Sequence, residues 1–283
     1  MSTFTRPEDP SRDFCQWDYP RPSVIHSESI RQENILFNVA RDLDRTKNTE
    51  NLLRVIQKIA GNFNTVWGIK SSGTKCSIEL YFYDYDRKFL STNPRDILQT
   101  ASQFLSINLE TKMPAAPFFM WSMEIDPTGS NKITDIDLYF SGVGGTISSG
   151  ECYTLTKSNY EFKNIYYFFE SIRDQDIIYE ALTSGPRLRN VIHLPSFLHP
   201  ARTSEQIYVV ARKRLNDGVY LSRLPLGKGV ETLKRVNFDR RVLSFLQENS
   251  AALEHHLYDI GIDYKVEESG EIFIEKSAIY GIF

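Results

Sequence analysis

The chain ends with the segment Glu271-Ile272-Phe273-Ile274-Glu275-Lys276-Ser277-Ala278-Ile279-Tyr280-Gly281-Ile282-Phe283. β-Branched and aromatic residues dominate this segment and it contains no proline, so we predict a strand. Strand side chains alternate between two faces. One face carries Lys276, Ala278 and Tyr280, and the other carries Phe273, Ile279 and Phe283. A lysine buried beside a phenol is unfavourable unless an anion meets it, so the segment predicts either an anion-binding face or an ordinary sheet with a solvated lysine.

Five pairs of strand-like segments run through the chain, and turn residues separate the two members of each pair. The clearest turn is Asn216-Asp217-Gly218, a strong hairpin signal. The predicted pairs are 65–70 with 75–86, 117–126 with 133–141, 151–157 with 161–170, 207–215 with 219–226, and 258–267 with the final strand. Consecutive hairpins of this kind form an antiparallel sheet.

The predicted strands combine an apolar face with a face that is rich in phenols and acids. In the second strand Glu79, Tyr81 and Tyr83 alternate with Ile78 and Leu80, as expected for a sheet with helices on one side. The strand at 161–170 has a shared face made of Tyr160, Phe162, Asn164, Tyr166 and Phe168. A wide sheet of this type would enclose its phenols if it closed on itself.

Helical spacing of apolar residues fills the intervals between the hairpins. The predicted helices cover 29–43, 48–61, 93–104, 174–184 and 230–256, the last with a break expected near Asn237. A ten-strand sheet tends to curl or close. We therefore predict an α+β fold, a closed antiparallel ten-strand β-barrel surrounded by helices, formed by residues 25–283 as one domain after an N-terminal arm of residues 1–24.

Composition restricts the function classes. The net charge of −3 argues against a nucleic-acid surface. Cys15, Cys76 and Cys152 are too widely spaced for a disulfide framework, which favours a reducing compartment. No run approaches the ~18 apolar residues that would span a bilayer, and the N-terminal segment lacks the apolar core of a signal peptide. We expect a cytoplasmic monomer without nucleic-acid or membrane partners.

Signals for hydrolytic or metal-dependent chemistry are weak. No nucleophile-elbow or Ser/His/Asp pattern occurs, and the histidines have no metal-ligand spacing. The glycine-rich segment 142–145 lacks the strand-to-helix setting of a phosphate loop, so it is predicted to be a turn. No metal site is therefore predicted.

Three short stretches resemble the ABBA, or PT-barrel, family of soluble aromatic prenyltransferases, and so does the order of the elements. The segment 71–82 is similar to the family's first hairpin, in which a serine-glycine turn leads into a Glu-Leu strand. The segment 164–168 resembles the family's Asn-x-Tyr-Phe strand, and Lys276 with Tyr280 matches the Lys-x-x-x-Tyr spacing of its last strand. By this resemblance Arg223, in Ser222-Arg223-Leu224, is expected at the place of the family's diphosphate arginine. The sequence departs from the family at Tyr160, where a lysine is expected four residues before the asparagine.

The resemblance implies that an allylic isoprenoid, dimethylallyl or geranyl, moves from its diphosphate to an aromatic small molecule inside the barrel. It implies diphosphate contacts by Lys70, Asn164, Tyr166, Arg212, Arg223, Lys276 and Tyr280. The implied pocket for the prenyl chain and the acceptor consists of Tyr81, Tyr83, Tyr139, Tyr208, Phe162 and Phe168. Glu79 or Asp137 would orient the acceptor or take its proton. No cofactor is required, although Mg²⁺ accompanying the diphosphate is compatible with this chemistry.

Other functions stay open. A non-catalytic barrel that binds a hydrophobic ligand or a protein partner would have the same phenol-rich lumen, and a lyase or cyclase could use the barrel without a prenyl donor. Individual residues have alternatives as well. The segment 212–214 could form a solvated basic face, and Asp135 and Asp137 could simply pair with basic residues across the barrel.

Overall fold

The computed structural model describes most of the barrel-forming chain. The described residues are 4, 21–44, 46–61, 65–83, 92–109, 113, 117–129, 132–142, 147–185, 187–188, 195, 198 and 207–283. Most of the predicted N-terminal arm, the end of the second predicted strand at 84–86 and most of the glycine-rich link lie outside the described residues.

Twelve strands occur in the described part of the chain. They are β1 Thr65–Ser72, β2 Lys75–Tyr83, β3 Ser106–Ile107, β4 Met120–Ile125, β5 Lys132–Ile133, β6 Asp135–Ser141, β7 Ser148–Thr156, β8 Tyr160–Glu170, β9 Ile207–Lys213, β10 Asp217–Pro225, β11 Leu257–Val266 and β12 Ile272–Ile282. Ten of them form a closed antiparallel barrel in the order β1-β12-β11-β10-β9-β8-β7-β6-β4-β2. The short strands β3 and β5 pair in parallel as a separate sheet that the sequence did not predict. The predicted closed ten-strand barrel is confirmed.

Seven helices occur in the described residues. They are α1 Glu33–Leu43, α2 Asn48–Ala60, α3 Pro94–Ala101, α4 Gln175–Thr183, α5 Leu226–Arg235, α6 Arg240–Glu248 and α7 Ser250–Leu253. The expected break near Asn237 is confirmed, because this residue adopts a left-handed backbone with φ of 53° between α5 and α6. None of these helices combines the length and the apolar character needed to cross a membrane.

The barrel is apolar on its outer surface and polar inside. Outward-facing side chains such as Trp67 and Trp121 are almost fully buried, and the Trp121 ring stacks on Phe82 with 4.3 Å between ring centroids. They belong to one hydrophobic core that also contains the apolar residues of α1 and α2. The outer core excludes water, so charged and phenolic side chains are unfavourable on that face of the strands. They lie on the opposite face, which lines the lumen.

Three β-bulges shift the alternation of side chains. The extra residues are Lys163 in β8, Glu275 in β12 and one residue of the Ser222–Arg223 pair in β10. A bulge puts two residues opposite one, so the alternation is reversed on its far side. In β12 the bulge moves Phe273 off the face of Ile279, so the predicted pairing of these two side chains is wrong. The predicted shared face of Lys276, Ala278 and Tyr280 lies on the lumen side.

Candidate functional site

Five tyrosines form a closed ring of contacting side chains inside the barrel. Consecutive ring centroids around it are between 5.7 and 6.3 Å apart. The members, here called the tyrosine belt, are in order Tyr81, Tyr139, Tyr166, Tyr220 and Tyr280. They come from β2, β6, β8, β10 and β12, which are alternate strands of the closed barrel. Layers of this kind, built from every second strand, are how a barrel interior accommodates large side chains.

Small residues on the intervening strands provide the space for these rings. Each belt tyrosine has at least one small cross-strand partner, and these small partners are Ser122, Cys152, Gly150 with Ala211, Gly261 and Gly68. A Cβ atom on Gly68 would lie 2.7 Å from Cε1 of Tyr280, and one on Gly261 would lie 2.9 Å from Cε1 of Tyr220. The two glycines therefore let the Tyr220 and Tyr280 rings lie close against the barrel wall.

Gly68→Ala is expected to lower the free energy of unfolding by about 1–3 kcal/mol, because the new methyl group overlaps the Tyr280 ring and overpacks the layer. Urea denaturation measures the change. The matched control is Gly227→Ala in α5, where no atom lies within 4 Å of the added Cβ and alanine is the better helix former. Equal stability of the two variants would contradict the proposed packing of the belt.

Four lysines point into the lumen beside the belt, and each is paired with a carboxylate. We call Lys70, Lys163, Lys213 and Lys276 the lysine cluster. Lys70 contacts Glu79, and its Nζ lies 2.9 Å from Oε2 of Glu124. The remaining amine-to-carboxylate distances are 2.5 Å for Lys163 to Asp137, 2.5 Å for Lys213 to Asp263 and 3.4 Å for Lys276 to Asp263. Asp263 is thus shared by two lysines.

Electrostatics distinguishes the members of the cluster. Burial alone would lower the pKa of Lys70, but Glu79 and Glu124 raise it well above its ordinary value. Burial also acts on Lys276, and here the neighbouring Lys70 charge adds to it, so the pKa of Lys276 is lowered although Asp263 opposes this. The Lys276 side chain is 36% exposed, whereas that of Lys70 is 9% exposed. Lys163 is more exposed, at 45%, but, against the effect of burial, Asp137 raises its pKa. Lys276 therefore combines partial exposure with a lowered pKa, which makes it the best candidate in the cluster for binding an anion.

Both predicted catalytic carboxylates lie in the lumen, and both are already bonded. Glu79 accepts hydrogen bonds from the Tyr81 hydroxyl and, at 2.8 Å, from the Ser122 hydroxyl, in addition to its contact with Lys70. Asp137 accepts hydrogen bonds from Thr154 Oγ1 at 2.7 Å and Lys163 Nζ at 2.5 Å. The predicted alternative of pairing across the barrel therefore holds for Asp137.

The belt and the cluster line one cavity. The space in it that a water-sized sphere can occupy is about 40 Å³, and the cavity is partly open to solvent. Nine of the predicted site residues line it: Lys70, Glu79, Tyr81, Asp137, Tyr139, Asn164, Tyr166, Lys276 and Tyr280. Tyr83 packs beside the belt at the edge of this space. Residues far apart in sequence thus meet around one cavity.

The bulge in β8 corrects the prediction for Phe162. Cys152 pairs with Asn164 and Tyr153 pairs with Phe162, which leaves Lys163 between the two pairs. Phe162 consequently lies outside the barrel, 52% exposed and against the ring of Tyr153. Lys163 enters the lumen instead. The family pattern has a lysine at the position of Tyr160, and in this protein Lys163 supplies the lumen amine of β8.

The placement of Arg212 and Tyr208 in the lumen is wrong, because the lumen-facing residues of β9 are 209, 211 and 213. Arg212 Nη1 donates to Asp217 Oδ2 at 2.6 Å, and the guanidinium also donates to the backbone carbonyl of Ala181 in α4. Tyr208 is buried in the outer core and donates to the carbonyl of Leu198 at 2.7 Å. The basic residue that β9 contributes to the lumen is Lys213.

Arg223 and Phe168 do not line the cavity. Arg223 belongs to the β10 bulge and has a left-handed backbone with φ of 57°. Phe168 faces the lumen side of β8 beyond the cavity, near Gly150. Sequence reasoning missed Lys163, Lys213, Tyr220 and Asp263. For Tyr220 the signal was present, since it lies at lumen-facing spacing in the predicted hairpin.

The described residues contain no group of three or more His, Cys, Asp or Glu side chains arranged to hold a metal ion. A scan against protein-family models and a search of curated proteins find no match to this chain. The geometry of the lumen is therefore the basis for any functional assignment.

Proposed function

We propose that this protein transfers an allylic isoprenoid group from its diphosphate to an aromatic small molecule in the barrel lumen. The observation that carries the proposal is the tyrosine belt lying directly beside the lysine cluster in one cavity. The reaction needs cations where the diphosphate leaves and a shielded, electron-rich surface where the allylic cation forms. The proposed activity also fits the resemblance to the PT-barrel prenyltransferases.

The diphosphate would bind at Lys213 and Lys276. These two amines share one carboxylate, Asp263, and Glu124 is a second carboxylate that acts on Lys276. The pKa of Asp263 is lowered because the two lysines outweigh the effect of its burial, and the carboxylate remains ionised. Charge-assisted hydrogen bonds from amines to phosphate oxygens are short and strong. Asn164 and Tyr166 lie at the same cavity, where the Asn164 amide donates to the Tyr166 hydroxyl at 2.8 Å.

The belt would shield the allylic cation. Aromatic faces attract cations, by roughly 0.5–2 kcal/mol for each well-placed ring. Burial raises the pKa of all five phenols above the ordinary value of 10, so the belt is neutral at physiological pH. The Lys213 amine lies 5.6 Å from the centroid of the Tyr220 ring, which places a cation next to the belt in the protein itself.

The bond changes are those of electrophilic substitution. The carbon–oxygen bond of the donor breaks and its electron pair leaves with the diphosphate, next to the lysines. An aromatic carbon of the acceptor then bonds to the allylic carbon, and the ring afterwards loses a proton. If Mg²⁺ accompanies the diphosphate, it would neutralise phosphate charge.

The test is incubation with dimethylallyl or geranyl diphosphate, first alone and then with a panel of phenols and indoles. We expect the donor to raise the melting temperature, since a ligand at 100 times its Kd stabilises a protein by about 2.7 kcal/mol. We also expect mass spectrometry to find an acceptor that gains one isoprenoid unit. A temperature shift without product for any acceptor would favour the non-catalytic binding barrel, and the lack of any shift would contradict the proposed donor site.

A further inference from the structure

A fifth carboxylate, in addition to Glu79, Glu124, Asp137 and Asp263, faces the lumen on the opposite side of the tyrosine belt from the lysine cluster. The lumen-facing residues of β11 are Asp263, Gly261 and Asp259, as their pairing with β12 shows. Asp263 belongs to the lysine side and Gly261 lies beside the belt tyrosine Tyr220. Asp259 is paired across the strands with Tyr280. It lies four residue steps before Asp263 along the strand, which corresponds to about 13 Å.

Asp259 is bonded differently from the other lumen carboxylates. Its Oδ1 accepts the backbone N–H of Arg223 at 2.7 Å. In the described residues it contacts no lysine amine, whereas Glu79, Asp137 and Asp263 all do. A carboxylate held by a lysine is a poor base, because the ion pair stabilises its charged form. Asp259 has no lysine partner among the described residues, and the cation that acts on it is Arg223.

The bulge in β10 holds this carboxylate in place. Ser222 and Arg223 together lie opposite Asp259, and the left-handed backbone of Arg223 directs its N–H to the carboxyl. Left-handed backbone is uncommon for a residue other than glycine, and such local strain is concentrated at functional sites. The geometry therefore favours a positioned carboxyl group over an incidental one.

We infer that Asp259 is the general base that removes the proton from the prenylated acceptor, an inference that rests on the proposed prenyl transfer. The donor would lie between the belt and the lysines. Asp259 does not line the cavity described above, so the acceptor would have to extend past the belt to reach it. When the new carbon–carbon bond has formed, a carboxylate oxygen of Asp259 takes the proton from the substituted ring carbon. The electron pair of that carbon–hydrogen bond restores the aromatic ring, and the neutral carboxyl later releases its proton to water.

The charge state of Asp259 suits this role. Burial raises the pKa of Asp259 to about 6. Three smaller effects oppose burial and lower the pKa: the hydrogen bond from the Arg223 backbone, the charge of Arg223 and the hydrogen bond with the Ser222 hydroxyl. The groups facing it are thus Ser222 and Arg223 from β10 and Tyr280 from β12. Near neutral pH the group is ionised and ready to accept a proton, and a base with a pKa close to the working pH is the most effective.

The test is Asp259→Asn, because the amide oxygen can still accept the Arg223 N–H. We expect kcat to fall by about 100-fold or more, which is a typical contribution of a general base. The wild type should lose activity as the pH falls below about 6, and the variant should lack this acid limb. Stabilisation by dimethylallyl diphosphate should be unchanged. Glu231→Gln, an exposed carboxylate paired with Arg235, is the matched control and should behave as wild type.

A stability measurement tests the carboxyl group independently of turnover. A folded-state pKa above the ordinary 3.8 means that ionisation of Asp259 opposes folding, increasingly from about pH 4 to about pH 6 and constantly above it. The melting temperature of Asp259→Asn should therefore exceed that of wild type at pH 7.5, by a difference that shrinks towards pH 4.

Wild-type kcat with an unchanged acid limb in Asp259→Asn would overturn the inference, and so would a melting-temperature difference that does not vary with pH. Asp259→Ala also removes the acceptor for the Arg223 N–H. This variant therefore distinguishes a role of Asp259 in holding the bulge from a role as a base. If only the alanine variant lost activity, Asp259 would serve the bulge and not the reaction. Failure of the wild type to bind the donor would instead contradict the proposed function itself.

Discussion

Lys70→Met is expected to lower the free energy of unfolding by about 3–5 kcal/mol, as is usual when one member of a buried ion pair is removed. The methionine would leave Glu79 buried without a cation, and the Glu79 side chain is only 3% exposed. The remaining partners of Glu79 are the neutral hydroxyls of Tyr81 and Ser122, which do not compensate its charge. Urea denaturation at neutral pH measures the change.

The double variant Lys70→Met, Glu79→Gln distinguishes the loss of the ion pair from a loss of packing. A glutamine keeps an acceptor for the two hydroxyls and carries no charge, so we expect most of the lost stability to return. The interaction free energy follows from the double-mutant cycle. A double variant as unstable as Lys70→Met would mean that the lysine contributes through its aliphatic chain and not through the pair.

Lys276→Met is expected to weaken binding of the donor by about 10- to 100-fold, since hydrogen bonds to charged groups contribute about 1.5–3 kcal/mol. Its effect on stability should be small, because the amine is partly exposed and Asp263 keeps Lys213 at 2.5 Å. Isothermal titration with dimethylallyl S-thiolodiphosphate measures the affinity. We thus expect Lys70→Met to lose stability and Lys276→Met to lose donor affinity.

The natural comparison for Lys276→Met is Lys265→Met, which removes an amine of similar exposure on β11 that contacts Glu275 outside the cavity. We expect it to bind the donor like the wild type. If both variants bound equally well, Lys276 would have no part in the donor site.

The barrel itself was predictable because hairpin turns and two-faced strands occur throughout the sequence. In β2 and β6 every second residue is polar or phenolic, so the lumen face could be assigned before the structure was known. Alternation failed in β9, where Val209, Val210 and Ala211 are apolar on both faces and the segment gave no sign of which neighbours face inward. Arg212 was therefore placed in the lumen where Lys213 belongs.

The bulges could not be predicted from the alternation that they interrupt. An extra residue in β8 brings Lys163 into the lumen and takes Phe162 out of it, and local sequence contains no signal that fixes its position. The belt is a different case. Four of its five tyrosines were among the predicted site residues, and Tyr220 was missed. The ring depends on small residues such as Gly68 and Gly261 on neighbouring strands, and that relation appears only when the strand order is known.

The most direct test of the account is a crystal structure with dimethylallyl S-thiolodiphosphate bound. We expect the diphosphate oxygens to lie within hydrogen-bonding distance, about 2.7–2.9 Å, of the Lys213 and Lys276 amines, with the isoprenoid chain against the tyrosine belt. A ligand bound outside the barrel, or one whose diphosphate lies on the Asp259 side of the belt, would contradict the account.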